Sequence, residues 1–425
     1  MQSSGVRPPS PQAPRPRIWT SLRSPAFAVV FAGVSVSSLG DGMAWVAISW
    51  LAIDLSHGRN TGLLVGAAVA AYTLPGVVAG LGLSRVLAHF DPRQLILFDA
   101  CLRLLCLGAV AATASVGVLN PPVFVLLLGI SSLFGLLEVT GYLTTVVEML
   151  PPEQHVAGNS LITVAVFASS IVGPAAAGGI VAAFGPGAAV GADALSYVAL
   201  ALAIVVSRRL QAPPPVAAKS QSVLRALRSL RRHPAILGIT LLSVVFFGLY
   251  GPVEVALPVY VAHTLRAGPG LLGGFFSLFA VGATVGALAS TLVQRFGIWR
   301  VALLVMIGWG LCLVAFGFFD SIVVSFVTLA VGGLIYGPFE PLKQTVVQRY
   351  SPPSLLPSLA AGSALLTVPA SPLGTAAGGP IVAALGPGGT ILWSGLATIA
   401  AALLAWGWLL GKGRRARFSG SGYRG

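Results

Sequence analysis

Apolar runs of about 20 residues recur from one end of this chain to the other, each long enough to cross a hydrocarbon layer about 30 Å thick. That pattern excludes most folds at once. In lipid every backbone polar group must be satisfied internally, so helical spans are the structure such runs can form. Only 8% of the 425 residues are charged and 56% are hydrophobic, with a mean hydropathy of +0.90; a soluble domain is about a quarter charged. The expected class is an all-α polytopic membrane protein.

Reading the runs between polar or Gly/Pro breaks predicts twelve spans: 25–51, 62–83, 94–117, 121–148, 157–183, 187–207, 235–262, 270–292, 299–319, 321–348, 355–384 and 388–411. Residues 1–24, rich in Pro, Ser and Arg and without an apolar core, read as a disordered cytoplasmic tail rather than a cleaved leader. Residues 412–425 read as a second cytoplasmic tail. With the N-terminus inside, all but three of the 25 basic residues fall on cytoplasmic segments. The exceptions are Arg59 and Arg266 outside and Arg103 within the third span. Such a bias orients a membrane protein with both termini in the cytoplasm. The formal charge of +14 is therefore topological, and no nucleic-acid partner is expected.

The chain also repeats itself. AGGIVAAFGPG at 177–187 returns as AGGPIVAALGPG at 377–388, and TVVEMLPP at 145–152 returns as TVVQRYSPP at 345–353. Gly76 and Gly80 in GVVAG correspond to Gly282 and Gly286 in GATVG. The matches keep their order, which divides the chain into a bundle at 25–207, a basic linker at 208–234 and a second bundle at 235–411. A parallel repeat of this kind is a common plan of secondary transporters, with substrate held between the halves. Small residues let helix backbones approach in lipid. Gly178, Gly179, Gly378 and Gly379, with Gly76, Gly80, Gly282 and Gly286, thus mark either plain packing or sliding seams along spans two, five, eight and eleven. The Gly-Pro-Gly runs predict tight exterior turns.

Several stretches carry a family resemblance over residues 18–411: SSLGD in span one, AGNSL at 157–161, IVGPAAAGG at 171–179 and RALRSLRRHP at 225–234. With the duplicated halves, the chain resembles the major facilitator superfamily, in its bacterial drug-exporter-like (enterobactin and macrolide exporter-like) branch. The resemblance implies two pseudo-symmetric six-helix bundles, and gives Gly173 and Pro174 the place of an exporter-associated Gly-Pro motif. It also exposes a departure. The family's loop between spans two and three carries Gly-x-x-x-Asp-Arg-x-Gly-Arg, where this chain has Ala88 and His89 at the Asp-Arg positions. A weakened cytoplasmic charge latch is expected, resting on Arg85, Asp91 and Arg93, with Arg295 in the matching loop of the second half.

Charge within the bilayer is costly and marks functional candidates. Asp41 in span one has no cation near it in sequence, and reads either as a hydrogen-bonded packing residue or as a carboxyl that exchanges a proton as substrate comes and goes. Glu254 and Glu138 are lesser candidates for the same role. Asp99 and Arg103 at i, i+4 and Glu340 and Lys343 at i, i+3 read as internally neutralised pairs, with a functional role as the alternative. Asp193 reads as structural, and Tyr72, Phe246, Phe247, Phe275 and Phe276 as core, lipid-facing or cavity-lining rings.

No catalytic motif, metal-ligand spacing or nucleotide-binding loop is present, and the three cysteines lie inside apolar runs. No enzyme activity, metal or cofactor is expected; a proton gradient supplies the energy. The reading is a monomeric transporter in a bacterial inner (plasma) membrane, its partners the lipid bilayer and a small-molecule substrate. It exports a small amphipathic organic compound by alternating access. The alternatives are an importer or facilitator with the same fold and, from another class, a non-transporting membrane sensor.

Overall fold

A computed structural model describes residues 18–87, 90–135, 145–210 and 223–419; among these no strand occurs. The first half contains α1 (Pro25–Ser56), α2 (Thr61–Leu87), α3 (Pro92–Ser115), α4 (Pro121–Ser131), α5 (His155–Phe184) and α6 (Pro186–Leu210). A short amphipathic helix, α7 (Val223–Arg231), precedes the second half. That half contains α8 (Pro234–Val259), α9 (Pro269–Leu288), α10 (Ile298–Phe318), α11 (Ile322–Tyr336), α12 (Phe339–Tyr350), α13 (Leu356–Thr367) and α14 (Ala370–Ser419). Proline opens many of these helices, where its fixed φ fits and its missing N–H is no loss. Asp91 and Asn120 cap α3 and α4, accepting from the backbone N–H of Arg93 at 2.8 Å and of Val123 at 3.0 Å.

The repeated phrase is one bend used twice. Gly185 ends α5 with φ 84° and ψ 165°, and Gly386 interrupts α14 with φ 70° and ψ 167°. Only glycine adopts that region without strain, and the proline that follows starts the next helix at once. Each half is then wound the same way: α1 packs on α5 and α6, and α8 packs on α14.

Among the described residues, ten helical stretches are long and apolar enough to cross a membrane. One of them, Leu356–Leu409, contains the Gly386 bend and so has two arms. Within the fourth span, expected over 121–148, α4 stops at Ser131 and a turn follows at 132–134; residues 136–144 lie outside the described residues, and 145–149 is helical. The tenth and eleventh spans keep helical backbone angles through Gly337, Pro338 and Val368, with the hydrogen-bond ladder interrupted where Pro338 and Pro369 cannot donate. Residues 18–23, assigned to the tail by sequence, form a helical turn against α1 and α5 with Ser21 buried. The linker is structured in part. Ala226 and Leu230 of α7 are buried, Leu230 beside Ile236, Val347 and Leu359, which anchors the linker to the second half. The last helix runs past residue 411 to Ser419.

The halves meet at the end of the bundle away from the termini, here called the distal end. Ser277 on α9 donates to the Ile171 carbonyl of α5 at 2.5 Å. A methyl group on Gly178 would lie 2.9 Å from the Pro269 carbonyl oxygen, and one on Gly66 would lie 2.7 Å from the Gly379 Cα. Thus α5 meets α9, and α2 meets the first arm of α14, backbone against backbone.

Candidate functional site

Two polar centres lie on the inner helices. In the first half, Gly40 removes a side chain from α1 where α6 crosses it, its Cα facing Ser196 and Asp193. That close approach brings Tyr197 of α6 to Asp41 of α1, and the Tyr197 hydroxyl donates to Asp41 Oδ1 at 2.6 Å. Arg103 reaches the same place from α3. Its Nε donates to Asp99 Oδ2 at 3.0 Å, and its Nη1 to Asp41 Oδ1 at 3.3 Å, the Tyr197 hydroxyl at 2.9 Å and the Tyr72 hydroxyl at 3.3 Å. The guanidinium also lies over the rings of Tyr72 and Tyr197, 5.8 and 5.4 Å from their centroids. One arginine therefore ties α1, α2, α3 and α6 together, and the sequence-distant cation that Asp41 lacked is Arg103.

The members differ in access. Asp99 and Arg103 are buried, whereas 37% of the Asp41 side chain is open. Helix α1 is flanked by α2, α5 and α6 of its own half and touches α8 and α9 of the other. Asp193 is 1% exposed and neither of its carboxyl oxygens has a hydrogen-bond partner. It stands in electrostatic range of Asp41 and Arg103, a third carboxyl around a single arginine.

The second centre is Glu254 on α8. Gly248 and Gly251 let α8 touch the backbone of α14 around Gly374, which sets two hydroxyls of one α14 face against the carboxylate. Ser371 donates to Oε1 at 3.2 Å and Thr375 to Oε2 at 2.7 Å. One turn before Glu254, Tyr250 joins a ring cluster with Phe279 of α9, Trp309 of α10 and Tyr336 of α11, at centroid separations of 5.4–6.4 Å. Trp309 is buried, whereas Tyr250, Phe279 and Tyr336 keep part of their surface open. Phe246 and Phe339 are buried behind them, with Phe247 half-exposed at the edge.

The remaining sequence candidates divide. Glu340 and Lys343 pair at 2.8 Å, and the ammonium lies 5.7 Å above Phe247. Glu138 lies outside the described residues, as do Ala88 and His89. Arg85 lies in the last turn of α2, and Arg295 stacks on Phe296 at 4.8 Å. The latch charges are paired inside the first half: Asp91 with Arg208 at 3.0 Å, and buried Arg93 with Glu148 at 3.4 Å. Gly178 and Gly379 sit at the seam between halves, and Pro174 faces Gly273 there. By contrast Gly76 faces Ser132, Gly173 faces Gly42, Gly282 and Gly286 face α11, and Gly378 faces Pro252 and Val255, each within its own half. The stripes are thus mostly internal packing, because GVVAG and GATVG point at α4 and α11 rather than across the seam. Gly179 has open space beside it, and Gly80 is half-buried on α2. Sequence reasoning missed Tyr197, Tyr250, Tyr336, Ser371 and Thr375. The available signal was a polar i, i+4 spacing inside an apolar run, as in Asp193–Tyr197, Tyr250–Glu254 and Ser371–Thr375.

Comparison with known proteins adds the family. The Major Facilitator Superfamily profile matches residues 30–367. The multidrug efflux pump Tap of Mycolicibacterium fortuitum is 27% identical over 388 residues, 87% of this chain and 92% of that protein. The pump of the same name from Mycobacterium tuberculosis is 26% identical over 405 residues, 91% of this chain and 93% of that protein. Among solved structures, the nucleoside transporter NupG superposes with a TM-score of 0.68 at 14% identity, covering 89% of this chain and 98% of that one.

Proposed function

We propose a proton-coupled efflux function from one premise: the chain belongs to the major facilitator superfamily. It is a multi-pass membrane transporter rather than an enzyme. The substrate is a small amphipathic organic compound, and relatives named as multidrug efflux pumps across nearly the whole chain support the outward direction. The protein works as a monomer in a bacterial inner membrane, with both termini in the cytoplasm, an orientation that the basic bias supports. The contact between the halves at the distal end then corresponds to a state closed to the outside.

The observation that carries the coupling is the half-open Asp41 carboxyl on the buried Arg103 network. A proton arriving at Asp41 weakens its bonds to Arg103 and Tyr197, and those bonds join α1 to α3 and α6. Charge at one site is thereby linked to the packing of helices that face the second half. Differential interaction of this kind is what a ligand needs in order to shift a conformational equilibrium. Asp99 holds Arg103 in place throughout, and the Glu254 centre with its rings supplies a mixed polar and apolar wall for substrate on the opposite half.

Everted vesicles energised to an acidic interior, with a pH-gradient dye, test this reading. Amphipathic compounds added one at a time are expected to dissipate the gradient in the wild type and not in Asp41→Asn. Equal dissipation in both would remove Asp41 from the coupling; none with any compound would remove proton-coupled export.

A further inference from the structure

Within ion-pair reach of Glu254 there is no basic side chain among the described residues, only the hydroxyls of Ser371 and Thr375. The carboxyl is half-buried on α8, a helix that touches α1 and α2 of the other half. A carboxylate in a membrane interior is costly unless a cation, a proton or water compensates it. Beside it stand the rings of Tyr250, Phe279 and Tyr336, partly open, with the two tyrosines in electrostatic range of Glu254. Aromatic faces and a carboxylate together form the environment that stabilises an organic cation, through the ring quadrupole and through charge.

The first centre is not equivalent. There Asp41 Oδ1 already accepts from Arg103 and Tyr197, and the guanidinium would repel an arriving cation. Arg103 also occupies the faces of Tyr72 and Tyr197. The protein has thus filled one aromatic–acid site with its own cation and left the other without one.

We propose that Glu254, with the partly open rings of Tyr250, Phe279 and Tyr336, binds a monovalent aromatic organic cation, and that such cations are the substrate class of this protein. The inference rests on the export reading and narrows it. The proton and the substrate then use separate carboxyls on opposite halves.

Equilibrium binding to the purified full chain in lipid nanodiscs tests it with two probes of the same shape and opposite charge. Tetraphenylphosphonium is expected to bind the wild type, and tetraphenylborate to bind at least about tenfold more weakly, the factor that corresponds to about 1.4 kcal/mol. Glu254→Gln is expected to weaken tetraphenylphosphonium about tenfold while leaving tetraphenylborate no worse. The comparison of probes on the wild type needs no variant, so poor folding of Glu254→Gln leaves the test intact. Equal binding of both probes overturns the inference, as does undiminished tetraphenylphosphonium binding by a folded Glu254→Gln. Proton-coupled flux of neutral compounds alongside either result would leave export standing and remove only the substrate class.

Discussion

Alanine at Gly178 would place a methyl group 2.9 Å from the Pro269 carbonyl oxygen and 3.0 Å from the Gly270 Cα. Carbon atoms in favourable contact stand about 3.5–4.0 Å apart. Both obstructing atoms belong to the backbone, so no side chain can swing away, and α5 and α9 must separate by about half an ångström or more. Overpacking of this kind costs about 1–3 kcal/mol. The better helix propensity of alanine, about 1 kcal/mol, acts in every conformation and cancels between them. The clash exists only while the distal ends touch, so the closed-to-open ratio is expected to fall by about 5- to 150-fold. Spin labels at positions 118 and 319, in a cysteine-free background, report on it. Val118 and Phe319 are exposed on distal turns of the two halves. Electron–electron resonance is expected to show a longer distance population in Gly178→Ala. Gly179→Ala is the control, since nothing lies within 4 Å of a methyl group there. If Gly178→Ala matches the wild type, or Gly179→Ala shifts the distances equally, the seam is not where the halves part.

Removing Arg103 should harm stability more than removing its neighbour. Arg103→Leu leaves Asp99 buried without its cation and is expected to cost about 3–5 kcal/mol, whereas in Asp99→Asn the arginine keeps Asp41, for a cost of about 1–3 kcal/mol; thermal unfolding in detergent gives the order. Gly185→Ala and Gly386→Ala force alanine into a region only glycine occupies freely, and each is expected to cost about 1–3 kcal/mol, with matched drops in the unfolding midpoint. Arg208→Ala breaks a pair that is partly open to solvent, so its cost is expected to stay within about 1 kcal/mol by the same assay.

The class of fold was legible because lipid allows few alternatives, and run length, basic bias and the doubled phrase all reported on it. The Gly-Pro-Gly turns were legible for the same reason: the φ near +70° to +84° at Gly185 and Gly386 admits little else. Local pairs such as Glu340–Lys343 and Asp99–Arg103 followed from helical periodicity. What sequence spacing does not carry is which face of a helix meets which neighbour. GATVG and GPAAAGG look alike as small-residue stripes, yet Gly282 and Gly286 pack inside their half while Gly178 packs across the seam. Asp41 and Tyr197 are 156 residues apart, and only the α1–α6 crossing at Gly40 joins them. The ladder interruptions in spans ten and eleven were visible as Pro338 and Pro369, but apolar continuity outweighed them in the reading.

Coupling is the central claim, and purified protein in liposomes tests it most directly. With an acidic lumen, tetraphenylphosphonium or another amphipathic substrate is expected to accumulate inside through the fraction of molecules whose cytoplasmic face is outward. Accumulation should end when a protonophore collapses the gradient, reverse when the gradient is reversed, and be absent in Asp41→Asn. Equilibration to equal concentrations, unchanged by the gradient's size or sign, would contradict proton-coupled export.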